Sequence, residues 1–154
     1  MFFFLLICNI SHCFTFASCL YLHHATLVTS LQTSNNKEKL IFYSDSHWLH
    51  PIFEFETFLS ENPYNPQELL IEDKIIGRAA ALLLVRLNIG KVKARLLSRL
   101  AQDIFEQYKI EYTFSKIKDR IACKTEDIRL DIADPAIAYK IISLRIAENR
   151  STQE

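Results

Sequence analysis

The chain has 154 residues, of which 49% are hydrophobic, so it is long enough to form one domain with a substantial buried core. Its 18 lysines and arginines balance its 18 aspartates and glutamates, and this zero net charge excludes a strong overall attraction to nucleic acid, which we do not expect as a partner. Two glycines and four prolines argue against flexible linkers, so we expect one folded domain over residues 23–148 and a frayed tail over residues 149–154.

The first 22 residues differ from the rest because they are strongly apolar and contain no charged residue. This pattern is typical of a secretory signal or a short membrane-spanning helix, although both usually carry basic flanks. The alternative is a start site assigned too far upstream, so that residues 1–22 are not part of the natural protein. We expect a cytoplasmic protein, and an exported or membrane-anchored one only if this segment is real.

The folded part opens with two short runs rich in β-forming residues, at 26–31 and 40–43. The turn composition of residues 34–37 between them predicts a β-hairpin. Pro51 then stands near the first turn of a short helix predicted over residues 51–59, and residues 62–66 form a loop.

Residues 72–88 are predicted as the central helix of the domain. Apolar residues occur on almost every side of this stretch, which indicates a helix enclosed in the core. Its start carries Glu72 and Asp73, and the N–H groups of a first helical turn favour an anion or a polar ligand. Asn88 and Gly90 supply the left-handed backbone positions that end helices.

The second half of the chain continues with a strand over residues 92–97 and a helix over residues 99–108 that Ser98 caps. Further strands are predicted at residues 110–114 and, at the sheet edge, 128–132. Asp134 and Pro135 start the last helix. The residues expected on the inner faces of these two helices are Leu100, Ile104, Phe105 and Tyr108, and Ile137, Ala138, Ile141, Ile142 and Leu144.

Several motifs in this order resemble a known family. Its members show D-K-x-x-G-[KR]-A-A-A, V-x-A-[KR], a serine-started helix and C-P-x-E, and the matching positions here are Asp73, Lys74, Gly77, Arg78, Val92, Arg95, Ser98, Cys123 and Glu126. Over residues 22–147 the chain is similar to a small bacterial domain of unknown function with a cytidine-deaminase-like fold. Lys124 departs from the family proline, and residues 117–122 lack its Asn-Arg-x-Gly-Thr-Gly loop. The resemblance implies a three-layer α/β/α sandwich with a mixed sheet opened by the hairpin, and no established activity.

Zinc-dependent deamination is the obvious enzymatic interpretation of such a fold. It requires a His or Cys beside a Glu at one helix start and a Cys pair at the next. The predicted helices start instead with Asp73-Lys74 and Ser98-Arg99, and the chain contains no Cys-x-x-Cys motif. We therefore expect no metal, no cofactor and no zinc-dependent deamination.

Ligands of open α/β sheets bind beyond the carboxyl ends of the strands, where helices begin. The candidate ligand-binding residues at this position are Asp73, Lys74, Gly77, Arg95 and Ser98. Lysine and arginine would neutralise a phosphate, Ser98 and free amides would donate hydrogen bonds to it, and Asp73 would accept one from a ribose hydroxyl. A purely structural interpretation is also open, with Asp73 and Ser98 as caps and Lys74 in solvent.

Cys123 and Glu126 are weaker candidates, as a nucleophile with a neighbouring carboxylate. No histidine follows His50 to lower the pKa of the thiol, so a structural cysteine is the more natural interpretation. His23 and His24 point to opposite sides of an extended chain, which argues against a metal cluster.

Three functions follow from these observations. The first is a domain without zinc that binds a nucleotide or sugar-phosphate ligand. The second is a structural protein that forms a homodimer through apolar residues, for which the sequence offers Trp48, Phe53, Phe55 and Phe58. The third is an enzyme that uses Asp73, Lys74 or Cys123 in chemistry unlike that of the zinc deaminases. A membrane partner is expected only if residues 1–22 are real.

Overall fold

The structure, a computed structural model, describes residues 25–32, 38–121 and 134–151. Within these residues the chain forms an open five-stranded mixed sheet and four α-helices. The strands are β1 (Leu27–Gln32), β2 (Glu38–Ser44), β3 (Leu69–Ile76), β4 (Lys91–Ser98) and β5 (Glu111–Lys118). The helices are α1 (His50–Glu61), α2 (Arg78–Arg86), α3 (Arg99–Tyr108) and α4 (Pro135–Ser151), and a 3-10 turn, Pro66–Glu68, precedes β3.

The sheet has the strand order β2-β1-β3-β4-β5. β1 and β2 pair antiparallel, which confirms the predicted hairpin, with a register shift between Thr29 and Ser30. β1 is also antiparallel to β3, whereas β3, β4 and β5 run parallel to one another. Because connections between parallel strands are right-handed, α2 and α3 lie on the same face of the sheet.

One row of residues across the sheet identifies the face that carries the helices. Phe42, Thr29, Ile71, Val92 and Tyr112 are neighbours in this row, one from each strand, and therefore point to the same side. The ring of Phe42 lies 5.2 Å from that of Phe55 in α1, and the ring of Tyr112 lies 5.6 Å from that of Phe105 in α3. We call this side the helix face and the other side the opposite face.

α2 is the central helix, as predicted, but it is shorter than expected. Residues 79–84 are all buried, because α2 contacts β3 and each of the other three described helices. The predicted start at residue 72 is wrong, since residues 72–76 belong to β3 and pair with its two neighbours. A short apolar run suits a buried strand as well as a buried helix, and here the neighbouring strands decide between them.

Local signals at helix ends are confirmed. The Oγ of Ser98 accepts a hydrogen bond from the N–H of Ala101 at 3.1 Å and caps α3. The Oδ1 of Asp134 accepts one from the N–H of Ala136 at 2.7 Å and caps α4. Asn88 has a φ of 58° just beyond α2, in the left-handed region that ends helices.

Gly90 is needed for a different reason from the one predicted. It does not have the left-handed φ expected for it. A Cβ at this position would lie 2.0 Å from the backbone oxygen of Gln67, so only glycine allows the chain leaving α2 to pass so close to the turn before β3.

The predicted inner faces of α3 and α4 are only partly correct. The buried residues of these helices are Ala101, Ile104, Phe105, Ala138, Ile142 and Ile146. Tyr108, Ile137 and Leu144 were expected inside but are exposed. α4 packs against α2 through residues 138, 142 and 146, whose spacing of four selects one side of the helix.

The coarse class is therefore a mixed α/β fold, while helices on both faces of the sheet, as in a three-layer sandwich, stay a prediction. Residues 1–22 and the edge strand predicted at residues 128–132 lie outside the described residues. Within the described part of the chain, no helix has the length and apolar character needed to cross a membrane.

Candidate functional site

The carboxyl ends of β3, β4 and β5 meet at one edge of the sheet, where α2 and α3 begin. Ile76 pairs with Leu97 in the parallel register, so the next residues, Gly77 and Ser98, stand side by side at the starts of the two helices. In open α/β sheets this edge is the usual place for a ligand.

Asp73 lies in β3, four residues before Gly77, and on the helix face. Its neighbours across the sheet are Leu27 and Ala94, both buried, and the residue itself is 9% exposed. Its Oδ1 accepts a hydrogen bond from the N–H of Ile75 at 3.0 Å. Burial raises the pKa of Asp73 from 3.8 to about 7, although the N–H groups of Ile75 and Lys74 and the charge of Lys74 favour the carboxylate.

The two helix starts differ in how their N–H groups are satisfied. Ser98 is fully buried, and its hydroxyl caps α3, as its structural interpretation requires. Gly77 is the N-cap of α2 and provides no side-chain cap, and neither helix has an acidic residue in its first turn. The start of α2 therefore keeps N–H groups and a dipole that no side-chain cap or acidic residue offsets.

The five predicted site residues fall on two sides of the sheet. Gly77 and Ser98 stand side by side at the helix-bearing edge, and Asp73 lies on the helix face four residues before Gly77. Lys74 follows Asp73 in β3, and Arg95 follows Ala94 in β4. Because side chains alternate along a strand, Lys74 and Arg95 lie on the opposite face. The pairing of Asp73 with Ala94 and of Ile75 with Leu96 puts them side by side. Lys93 on that same face is paired with Glu72 at 3.0 Å. The expected convergence of all five residues is therefore not observed.

Two arginines stand at the helix starts instead. Arg78 and Arg99 are the first residues of α2 and α3. The Nε of Arg99 lies 2.9 Å from Oδ1 of Asp119, and its side chain remains 61% exposed. In the sequence, each arginine follows a strand and an N-cap residue, Gly77 in one case and Ser98 in the other. This repeat could be recognised only after the structure showed that β3 ends at Ile76.

A polar cluster that the sequence did not predict lies where β2 ends. Ser44 and Ser46 each donate a hydrogen bond to the carboxylate of Glu54 in α1, both at 2.6 Å. Ser44 pairs with Leu27, which in turn pairs with Asp73, so the cluster lies in the same sheet row as Asp73, two strands away. Its evident role is to hold the first half of α1 against β2.

The residues at the helix starts do not fit a catalytic zinc ion. Gly77, Arg78, Ser98 and Arg99 offer no nitrogen or sulfur ligand, and the two arginines would repel a dication. Within residues 25–32, 38–121 and 134–151, no group of three His, Cys, Asp or Glu side chains could hold a metal ion. Cys123 and Glu126 lie outside the described residues.

The aromatic residues considered for a dimer surface pack against the core. Phe55 is fully buried, and Trp48, Phe53 and Phe58 are partly buried against the hydrophobic core. The ring of Phe58 stacks on that of Phe55 at 6.1 Å. These four residues therefore contribute to the packing of the hydrophobic core.

A shallow surface depression lies at the other end of α2, away from the candidate site. Phe53, Arg86 and Tyr139 are among the residues that line it. Arg86 forms an ion pair with Glu56 at 2.5 Å, and its guanidinium lies 3.6 Å from the ring centroid of Tyr139. This arrangement ties α1, α2 and α4 together.

Comparison with known proteins agrees with this fold. A crystal structure of a DUF1893 family protein (TM1506) from Thermotoga maritima has a TM-score of 0.67 to this chain at 20% sequence identity, over 84% of this chain and 86% of that one. No curated protein matches. The family described as "Domain of unknown function (DUF1893)" matches residues 26–146. The predicted resemblance to a family of unknown function is thus confirmed, while its cytidine-deaminase-like fold and bacterial origin stay predictions. The chain belongs to the DUF1893 family.

Proposed function

We propose that this domain binds a nucleotide or another ribose phosphate, without catalytic zinc, at the edge where α2 and α3 begin. We include in the proposal a cytidine-deaminase-like, three-layer fold, which the sequence motifs support. The observation that carries the proposal is the buried carboxyl of Asp73, four residues before Gly77 in the strand that leads into the uncapped start of α2.

Asp73 is costly where it stands. It lies between the buried residues Leu27 and Ala94. Among the described residues it is the only aspartate, glutamate, lysine or arginine that is buried. Burial of a carboxylate is unfavourable unless hydrogen bonds compensate it, and hydroxyl groups are suitable donors. A ribose that donates hydrogen bonds to Asp73 would offset part of this cost, so the residue suits ligand recognition better than it suits stability.

The adjacent helix starts suit the phosphate of such a ligand. The N–H groups at the start of α2 have no side-chain cap, and the dipoles of α2 and α3 both favour an anion there. Arg78 and Arg99 stand at the same edge, Arg99 largely exposed beside its partner Asp119, and arginine forms bidentate hydrogen bonds with phosphate. A sugar hydroxyl on Asp73 and a phosphate at the helix starts together define a ribose phosphate.

Thermal shift and calorimetric titrations with adenosine monophosphate, ribose 5-phosphate and inorganic phosphate test this proposal. Gly77→Asp should abolish binding without lowering the melting temperature, because an introduced carboxylate would itself cap the N–H groups of α2. Arg99→Ala should weaken binding about tenfold, since it removes one charge-assisted contact.

Lys74→Ala and Arg95→Ala are the matched controls, because they remove positive charges from the opposite face. They should leave binding within about twofold, since nearby charges act weakly through solvent. Binding that survives Gly77→Asp and Arg99→Ala, or that disappears in Arg95→Ala, would contradict the proposed location.

A further inference from the structure

α4 carries a second apolar stripe besides the one that packs into the core. Ala138, Ile142 and Ile146 face α2 and are buried. Ile137 and Leu144, by contrast, are 48% and 63% exposed, and Ile141 between them is partly exposed. Steps of four and three residues place Ile137, Ile141 and Leu144 on one side of the helix, facing away from the core.

Single exposed apolar residues are normal on protein surfaces, but an aligned row of them on one helix is typical of a docking surface. Two charged residues, Lys140 and Glu148, lie on the same side of α4, and both are exposed. We define the α4 stripe as Ile137, Lys140, Ile141, Leu144 and Glu148. It combines apolar side chains with one charge of each sign.

We propose that the α4 stripe binds the α4 stripe of a second copy of this chain, with the two helices antiparallel and related by a two-fold axis at Leu144. Such an isologous contact brings the same patch of both copies together. Leu144, the most exposed apolar residue of the stripe, then packs on its own counterpart at the centre of the contact.

Charge complementarity selects the second copy as the partner and fixes the orientation. In an antiparallel pair centred on residue 144, residues four positions to either side meet, so Lys140 faces the partner's Glu148, and the symmetry repeats this pair. A parallel pair would instead oppose Lys140 to Lys140 and Glu148 to Glu148, which like charges disfavour.

The size of the contact sets the expected strength. α4 has 17 residues, and at about 1.5 Å per residue it is roughly 25 Å long. One helix pair of this length buries less than about 1,200 Å², which is the range of weak or transient complexes, so we expect a dissociation constant in the micromolar range.

Sedimentation equilibrium of the full chain over a range of concentrations tests the proposal. The wild type should show a reversible monomer–dimer equilibrium, and Leu144→Ser should weaken it about tenfold or more, because it removes the central apolar contact. Leu40→Ser is the matched control, since Leu40 is 45% exposed on β2 and lies outside the stripe. Circular dichroism should show that both variants remain folded.

A charge exchange tests the orientation. Lys140→Glu should weaken the dimer, and the double variant Lys140→Glu/Glu148→Lys should restore it, because the two charges again oppose each other in the antiparallel pair. A chain that stays monomeric up to about 1 mM would overturn the proposal. Equal weakening by Leu40→Ser and Leu144→Ser, or no rescue in the double variant, would overturn it as well.

Discussion

Replacing Asp73 with asparagine should make the protein more stable at neutral pH and remove part of the pH dependence of its stability. The carboxyl of Asp73 is buried, and its pKa in the folded protein is about 7, against an ordinary value of 3.8. Asparagine has nearly the same shape and keeps an oxygen that can accept the hydrogen bond from Ile75, but it does not ionise.

The sign of the effect follows from proton linkage. Between pH 3.8 and about 7 the folded protein keeps a proton on Asp73 that the unfolded chain has released, so the free energy of unfolding falls as the pH rises through this window. Above pH 7 both states are ionised at this residue, and its contribution becomes constant. At about 1.4 kcal/mol for each pH unit, the loss from pH 4 to pH 8 amounts to roughly 4 kcal/mol.

Urea unfolding followed by circular dichroism at several pH values between 4 and 8 measures this loss. The free energy of unfolding of Asp73→Asn should be close to that of the wild type at pH 4. At pH 8 it should exceed the wild-type value by several kcal/mol, about as much as the wild type loses between pH 4 and pH 8. Asp119→Asn is the control, because its side chain is 89% exposed, and its difference from wild type should not change in this way. Parallel curves for wild type and Asp73→Asn would refute the argument from burial.

Three further predictions concern stability and can be measured by urea unfolding. Gly90→Ala should destabilise by about 2 kcal/mol or more, because its Cβ would meet the backbone oxygen of Gln67; an unchanged midpoint would contradict the close approach. Ser98→Ala should cost about 1 kcal/mol, since it removes the cap of α3, whereas no loss would mean that the cap does not stabilise the helix. A double-mutant cycle of Arg86→Ala and Glu56→Ala should give a coupling energy of about 0.5–1 kcal/mol, because the pair is only partly exposed; zero coupling would leave the pair without a role in joining α1 and α2.

The candidate site could be predicted only in part. The rule that ligands bind where helices follow parallel strands pointed to the edge where α2 and α3 begin, and the structure places Gly77 and Ser98 side by side there, with Asp73 four residues earlier on the same face. It also included Lys74 and Arg95, which lie on the opposite face. A boundary error caused this: a helix beginning at residue 72 would put Asp73 and Lys74 in its first turn, whereas in a strand they point to opposite sides.

The sequence by itself determined the features that depend on a few neighbouring residues. Ser98 and Asp134 cap helices because a short polar side chain reaches N–H groups only two or three residues away, and Asn88 ends α2 because it tolerates a left-handed backbone. The hairpin likewise follows from two β-rich runs around a turn. All of these interactions are local, so their residues stand close together in the sequence.

Only the tertiary structure decided the features that depend on distant parts of the chain. Residues 72–76 form a strand because β1 and β4, far away in sequence, supply their hydrogen bonds. Asp73 is buried because Leu27 and Ala94 flank it. Ile137 and Leu144 are exposed because α4 turns a different apolar side toward α2. Composition and periodicity state which residues are apolar, but the partner elements determine which of them are buried, and that choice depends on contacts between residues far apart in the chain.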